Sequence, residues 1–204
     1  MSDVKTTTID LMRHGEPVGG RRYRGHKDDP LSDNGWQQMR EAVAHHHPWD
    51  VIISSPLSRC AAFATELAQR HGLALHFEER LKEISWGQWE GSTPEDIHTH
   101  YPNALERYWA DPHNNVPPGA EPIGQFRMRV LSAWNDLLAR HGGKHIIIIG
   151  HAGVTRAAIC HSLSIPIENM FRIQVAYAAI TRIQIEHRGD ETSHKLVHHG
   201  GPLA

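Results

Sequence analysis

The side chains with the clearest chemical potential follow three short apolar runs of the sequence. Arg13 and His14 follow IDLM, Arg59 comes shortly after VIIS, and His151 follows IIIIG. An arginine presents a planar fork of N–H donors that matches the oxygens of a phosphate group. Two arginines and two histidines in a small volume repel one another unless an anion neutralises them. If folding brings the ends of the three runs together, the predicted ligand is therefore a phosphate.

A phosphate site becomes catalytic when it also holds a nucleophile, and His14 is the better candidate of the two histidines. A neutral imidazole can attack phosphorus and form a covalent phosphohistidine, while its second nitrogen is held by an acceptor such as a backbone carbonyl. Gly15 allows a close approach of the backbone beside His14. Arg13 can then steady the incoming phosphate, and His151 can donate hydrogen bonds to the transferring oxygens.

The leaving alkoxide needs a proton, and Glu83 in the segment LKEISWGQWEG is the candidate acid. Apolar neighbours such as Ile84 and Trp86 favour the protonated form of a carboxyl group. Each candidate also has a plainer interpretation: a lone histidine is usually packed or solvated, Arg59 would suit a helix surface, and Glu83 would suit a loop. Their joint placement at successive strand ends favours a function, because sites of α/β proteins lie there.

Strand-like and helix-like segments alternate along the chain, which predicts an α/β fold with a mainly parallel sheet and helices on both sides. The clearest strand has four consecutive isoleucines without polar alternation, so we expect it to be covered on both faces. The predicted strands are 6–12, 51–54, 73–77, 145–149 and 179–185, and the predicted helices are 31–46, 56–71, 93–109, 123–142 and 154–163.

Local signals refine the helix ends. Ser32 is placed to cap the helix over 31–46, and Gly72 is placed to end the helix over 56–71. Helices that begin after Gly15, Ser55 and Gly153 would add free backbone N–H groups and the positive end of a helix dipole to the phosphate site.

The composition predicts one domain over residues 1–204, without a general affinity for nucleic acid or membranes. The 204 residues are 39% hydrophobic, which suffices for a core, and the formal net charge of −2 means that any basic site is local. The longest apolar run, 146–149, is far too short to span a bilayer, and no secretory pattern opens the chain. Two cysteines, Cys60 and Cys160, do not make a disulfide framework. We therefore expect a cytoplasmic protein.

Two groups of histidines raise the question of a metal site, namely 45–47 and the tail residues His194, His198 and His199. Solvated helix-end and tail residues are the favoured interpretation, because no cysteine pair or HExxH-like spacing accompanies them. No metal site is predicted, and the sequence favours neither packing nor disorder for the tail. Cys60 follows Arg59, which would lower the pKa of the thiol, but a small apolar filler on a helix is favoured.

Six segments, in this order, resemble the histidine phosphatase superfamily, in the branch that includes cofactor-dependent phosphoglycerate mutases and small-molecule phosphatases. They are LMRHGEP, GHKDDPLSDNGWQQM, SSPLSRCAAFATELA, LKEISWGQWEG, PPGAEPIGQFRMRV and IIIIGHAGVTRA. The resemblance implies a phosphoglycerate mutase-like three-layer α/β/α sandwich with a mainly parallel central sheet. It also implies that His14 is the phosphorylated nucleophile, that Glu83 is the proton donor, and that Arg13, Arg59 and His151 form the phosphate pocket. No metal or other cofactor is implied.

The resemblance also bears on the reaction. Mutases of this family typically carry an asparagine in the stretch RHGExxWN, and the corresponding RHGEPVGGRRYRG lacks it, which favours a phosphatase. The stretches WGQWEG and PPGAE resemble α-ribazole phosphatases of cobalamin assembly and broad-specificity sugar-phosphate phosphatases. The expected partner is a small-molecule phosphate ester. A phosphoglycerate mutase and a non-catalytic phosphate- or metal-binding module remain alternatives, and a homodimer and the contribution of Arg21, Arg22 and Tyr23 to substrate binding are left open.

Overall fold

A six-stranded sheet organises the computed structural model, which describes residues 5–44, 46, 48–189 and 191–200. In chain order the strands and α-helices are β1 (Lys5–Arg13), α1 (Asp33–Val43), β2 (Val51–Ser54), α2 (Ser58–His71), β3 (Ala74–Phe77), α3 (Pro94–His100), α4 (Ala104–Ala110), α5 (Ile123–His141), β4 (His145–Gly150), α6 (Ala152–Ser162), β5 (Ile180–Arg188) and β6 (Glu191–His199). Short 3₁₀ helices lie at Glu79–Leu81, Gly87–Trp89 and Ile167–Arg172.

The strand order in the sheet is β3-β2-β4-β1-β5-β6. The pairs β3–β2, β2–β4 and β4–β1 are parallel, whereas β5 and β6 continue the sheet in antiparallel fashion. The predicted mainly parallel sheet is confirmed. Because β2, β4 and β1 are direct neighbours and run in the same direction, their carboxyl ends lie side by side at one edge of the sheet.

Successive residues of the central strands face two different cores, which makes the fold a three-layer sandwich. Ile146 and Ile148 of β4 pack in the core that includes residues of α5 and α6, whereas Ile147 and Ile149 pack in the core that includes residues of α1 and α2. None of the four is more than 1% exposed. The strand is therefore covered on both faces, which explains why its sequence shows no polar alternation.

The two local helix signals are confirmed. The hydroxyl of Ser32 accepts a hydrogen bond from the N–H of Gly35 at 3.0 Å and so caps α1. Gly72 ends α2 with a φ of 64°, a left-handed conformation that glycine adopts without the steric penalty of a side chain.

Three expectations about the elements are wrong. The helix predicted over 93–109 is two helices, α3 and α4, because Pro102 cannot continue a helix and Asn103 turns the chain with a φ of 59°. The strand over 179–185 is not the last, since the histidine-rich tail forms β6 against β5. Finally, no helix begins after Gly15: the loop from this residue runs on to α1, which begins at Asp33.

Candidate active site

The side chains at the ends of β1 and β4 meet directly. The N–H of His14 donates to the carbonyl of Gly150 at 2.9 Å, which continues the pairing of the two strands beyond the sheet. The rings of His14 and His151 then lie edge to face, with centroids 5.3 Å apart. Two of the three run ends that the sequence singled out therefore share one small volume.

His14 is held in a single orientation. Its Nδ1 lies 2.7 Å from the carbonyl oxygen of Gly15. Because a carbonyl only accepts, Nδ1 must carry the proton, and Nε2 is left with its lone pair. Burial, followed by the charges of Arg59 and Arg13, holds the pKa of His14 well below its ordinary value. The result is a neutral imidazole at neutral pH, with one nitrogen available as a nucleophile.

His151 lies at the position just before α6 and is completely buried. Its Nε2 lies 2.8 Å from the hydroxyl of Ser55, and the sulfur of Cys60 packs against the same ring at 3.7 Å from Nε2. Burial, then the charges of Arg59, His14 and Arg13, keeps the pKa of His151 well below its ordinary value. Ser55 follows β2, so this contact ties the third run end to the other two.

Arg59 belongs to the first turn of α2 and is fully buried. Its two terminal nitrogens donate to the carbonyls of Lys27 and Gly25 at 2.9 and 2.8 Å, whereas its Nε has no hydrogen-bond partner among the described residues. No described carboxylate forms an ion pair with it, whereas a buried charge is normally paired. An anionic ligand would complete its surroundings.

Arg13, which is half-buried and precedes His14 in the chain, shows a similar pattern. One terminal nitrogen donates to the carbonyl of Val175 at 2.6 Å, and its guanidinium carbon lies 4.0 Å above the centre of the Tyr177 ring. Its Nε is buried without a partner among the described residues. The buried Arg59 and the half-buried Arg13, each with an Nε that lacks a partner among the described residues, thus lie close enough to the neutral imidazole of His14 for their charges to lower its pKa.

Glu83 approaches the same site from the segment between β3 and α3. Its carboxylate accepts a hydrogen bond from the N–H of Gly153 in the first turn of α6 at 3.0 Å, and another from the N–H of Ile84 at 3.0 Å. A Cβ atom on residue 153 would lie 2.1 Å from Oε1 of Glu83, so a side chain there would displace the carboxylate from this position. The main chain on either side is fixed by Arg129, which donates to the carbonyls of Lys82 and Glu83 at 2.7 and 2.9 Å.

All five residues that the sequence singled out, Arg13, His14, Arg59, Glu83 and His151, therefore lie around one site. Of the three expected helices, α2 carries Arg59 in its first turn and α6 directly follows His151, and the N–H groups of Ser58 and Gly153 at their starts donate to Asp28 and Glu83. The close backbone approach expected at Gly15 is confirmed: a Cβ atom there would lie 2.1 Å from the carbonyl oxygen of Gly35 at the start of α1.

Sequence reasoning missed three residues that hold these side chains. Ser55 was noticed only as the residue at a strand end. Its hydroxyl reaches His151 at the end of the neighbouring strand β4. Tyr177 stacks beneath Arg13 and also lies 5.9 Å from the His14 ring, but nothing in the loop before β5 signals this contact. Arg129 lies on the face of α5 that the apolar periodicity leaves polar, and its contacts 46 residues away along the chain follow from the tertiary fold alone.

Among the described residues, the cysteines and the two histidine groups do not form a second reactive centre. Cys60 and Cys160 are free and buried, and burial raises the pKa of the Cys60 thiol to about 12 in spite of the neighbouring Arg59. His45 and His47 lie outside the described residues. His194 contacts the hydroxyl of Ser162. Within the described part of the chain, no group of three His, Cys, Asp or Glu side chains is placed to hold a metal ion.

Among residues 5–44, 46, 48–189 and 191–200, no helix has the length and the apolar character that crossing a lipid bilayer requires.

Comparison with known proteins gives a family match over most of the chain. The family model of the histidine phosphatase superfamily, branch 1, matches residues 9–197. Phosphoserine phosphatase 1 of Hydrogenobacter thermophilus is 30% identical over 185 residues, which cover 87% of this chain and 86% of that protein. The adenosylcobalamin/alpha-ribazole phosphatase of Salmonella typhimurium is 27% identical over 180 residues, with 86% of this chain and 89% of that protein covered.

The fold is also shared with solved structures. A mycobacterial glucosyl-3-phosphoglycerate phosphatase superposes with a TM-score of 0.83 at 24% identity, over 96% of this chain and 98% of that chain. The expected phosphoglycerate mutase-like α/β/α architecture is therefore confirmed.

Proposed function

The chain belongs to the histidine phosphatase superfamily and is a phosphoric monoester hydrolase, and we propose that it works through a covalent phosphohistidine at His14. The observation that supports this assignment is the bond from Nδ1 of His14 to the Gly15 carbonyl, which leaves Nε2 unprotonated near the buried guanidinium of Arg59 and the half-buried one of Arg13. A neutral nucleophile next to fixed positive charge meets the two needs of attack on a phosphate dianion: a lone pair and neutralisation of the oxygens.

In the first step, Nε2 of His14 attacks phosphorus, and the bond from phosphorus to the ester oxygen breaks. Arg13 and Arg59 neutralise the phosphoryl oxygens, His151 lies against the same group, and Glu83 gives its proton to the departing alkoxide. In the second step, Glu83 takes a proton from water, the water oxygen attacks phosphorus, and the N–P bond breaks. Inorganic phosphate leaves, and His14 and Glu83 return to their starting states.

The covalent step is tested by trapping the phosphoenzyme. Wild-type protein that is mixed with ³²P-labelled substrate and quenched with alkali should retain a label that acid removes, as expected of a phosphoramidate. His14→Ala should lose the label and lower turnover of p-nitrophenyl phosphate by orders of magnitude. His98→Ala, at an exposed site on α3, is the matched control and should behave as wild type. Retention of label and turnover in His14→Ala would overturn the assignment.

For the substrate, we propose a small phosphorylated metabolite, and α-ribazole 5′-phosphate is the candidate that the sequence resemblance favours. The Salmonella relative is named for that activity, whereas the Hydrogenobacter relative is named for phosphoserine. Values of kcat/KM for α-ribazole 5′-phosphate, phosphoserine, glucosyl-3-phosphoglycerate and sugar phosphates rank these substrates. Release of phosphate from α-ribazole 5′-phosphate at less than a tenth of the rate seen with another ester on the panel would reject that candidate. 3-Phosphoglycerate with its bisphosphate primer should yield free phosphate rather than the isomer.

We also propose a cytoplasmic location and a single catalytic domain over residues 1–204. The two free buried cysteines support the first proposal, because an oxidising compartment favours disulfides. The match of the family model to residues 9–197 supports the second.

A further inference from the structure

The carboxylate of Glu90 accepts four main-chain hydrogen bonds, although it is not one of the five residues of the phosphate site. Its Oε2 accepts from the N–H groups of Gly25 and Lys27, each at 3.0 Å. Its Oε1 accepts from the N–H groups of His26 and Trp86, each at 2.9 Å. Three consecutive N–H groups of the loop over 25–27 thus converge on one carboxylate, in bonds strengthened by its charge.

The same loop turns two of its carbonyls toward Arg59. The peptide unit between Gly25 and His26 takes part on both sides, since its C=O accepts from Arg59 at 2.8 Å while its N–H donates to Glu90 at 2.9 Å. The C=O and N–H of a trans peptide point in opposite directions, so the guanidinium and the carboxylate lie on opposite sides of this unit. Each charge polarises the peptide in the sense that strengthens the bond to the other.

Rather than touching the substrate itself, Glu90 is, we propose, a positioning residue that holds Arg59 in place for the phosphate group through the loop over 25–27. This inference rests on the proposed function, because the contact of Arg59 with the substrate is part of it. The next loop residue, Asp28, supports the arrangement by accepting bonds from the N–H and the hydroxyl of Ser58 at 2.7 and 2.8 Å. The loop therefore holds both the side chain of Arg59 and the helix turn that carries it.

The bonding pattern requires a carboxylate and not only a side chain of this length. Each oxygen of Glu90 accepts two N–H groups, so a glutamine would turn its own NH₂ toward two donors. The spacing is also tight: a Cβ atom on residue 25 would lie 2.4 Å from Oε1 of Glu90 and 2.1 Å from the carbonyl oxygen of Ile84. A side chain at residue 25 would therefore collide with the Glu90 carboxylate and with the main chain at Ile84.

The test measures how strongly inorganic phosphate inhibits hydrolysis of p-nitrophenyl phosphate, because this inhibition reports the phosphate pocket without a leaving group. Glu90→Gln should weaken phosphate about tenfold and raise KM by a similar factor, as expected for the loss of one charge-assisted interaction. Glu95→Gln, on the exposed face of α3, is the matched control and should change neither constant. Thermal unfolding of each variant shows whether it is folded.

A double-mutant cycle separates a positioning residue from a merely structural one. In Arg59→Ala protein, phosphate is already weakened, and adding Glu90→Gln should then change phosphate inhibition by less than about twofold. A full tenfold loss in that background would show that Glu90 does not act through Arg59 and would overturn the inference. Unchanged phosphate inhibition in Arg59→Ala alone would instead refute the pocket that the proposed function describes.

If Glu90→Gln does not fold, Glu90→Asp serves the same purpose. It keeps both oxygens but is one methylene shorter, so its effect on phosphate inhibition should be smaller than that of complete loss, and this effect too should vanish in the Arg59→Ala background. If phosphate inhibited a folded Glu90→Asp variant as strongly as wild type, the length of the side chain would be irrelevant, and this result would count against the inference.

Discussion

Gly153→Ala is expected to slow the chemical step by displacing the candidate acid. The new Cβ atom would lie 2.1 Å from Oε1 of Glu83. To restore an ordinary carbon–oxygen contact, the carboxylate must retreat by roughly 1 Å. A misplacement of this size costs about 10²-fold in rate when the displaced group takes part in the transition state. The hydrogen bond from the N–H of Gly153, now 3.0 Å, would be lost or lengthened as well.

The dependence on the leaving group identifies the cause of the loss. Alkyl phosphates need protonation of the departing oxygen, so their kcat/KM, which reports the steps up to release of the alcohol, should fall about 10²-fold in Gly153→Ala. Aryl phosphates with acidic phenols need little protonation, and their kcat/KM should fall much less, whereas hydrolysis of the phosphoenzyme, in which Glu83 takes a proton from water, is common to all esters. Gly124→Ala in α5 is the control, because a Cβ atom there meets nothing within 4 Å. An equal loss of kcat/KM for every leaving group, or an unchanged kcat/KM with alkyl phosphates, would refute the reasoning.

Three further outcomes follow from the titrating groups. In the free enzyme, the ring C–H resonances of His14 and His151 should not titrate between pH 8 and about pH 6, because their pKa values lie well below the ordinary 6.5; an NMR midpoint near 6.5 for either ring would contradict this. Asp10→Asn should lower the free energy of unfolding at pH 7 by about 2–4 kcal/mol, because Asp10 is buried and bonded to Arg182. The difference in stability between wild type and variant, measured by urea unfolding, should shrink as the pH falls from about 4 toward 2. A variant as stable as wild type would exclude this role. Cys60 should resist alkylation by iodoacetamide at pH 8 until denaturant is added, since burial raises its pKa to about 12; rapid loss of free thiol in the native protein would refute the burial argument.

The Asp10 prediction draws on a bonding pattern at the other end of the sheet. Burial alone would raise the pKa of this carboxyl, but hydrogen bonds from Arg182, His145 and Trp49 outweigh it and lower the pKa from 3.8 to about 2. A depressed pKa of this kind contributes roughly 2.5 kcal/mol of stability above pH 4, which is lost as the pH falls through the folded value.

The sequence was informative where side chains with chemical potential directly follow apolar strands. Arg13, His14 and His151 are adjacent to apolar runs, and parallel neighbours bring such run ends to one edge whatever the loops do. The isoleucines of β4 were equally readable, because a strand that is buried on both faces needs no polar residue. Pro102, whose ring interrupts a helix, was also visible in the sequence, but the residues around it follow a helical pattern.

Other features depend on contacts between distant segments and leave little local trace. Three of the four N–H donors that bond to Glu90 lie 63 to 65 positions away from it in the chain. A glutamate near a glycine is not a distinctive sequence pattern. The strand β6 was hidden because its histidines, lysine, threonine and serine lack the apolar alternation of a core strand. It is an edge strand, and charged or polar residues are common there because they oppose further pairing.

The two sides of the active site have different structural origins, and this difference bears on specificity. The phosphate side is built from the ends of β1 and β4 and the start of α2, which the sheet fixes. Under the proposed mechanism the leaving group lies next to Glu83, which belongs to the segment between β3 and α5 together with aromatic residues such as Trp86 and Trp109. We therefore expect changes in this segment to alter the alcohol that is accepted without disturbing attack on phosphorus, provided that Glu83 and Glu90 keep their bonds.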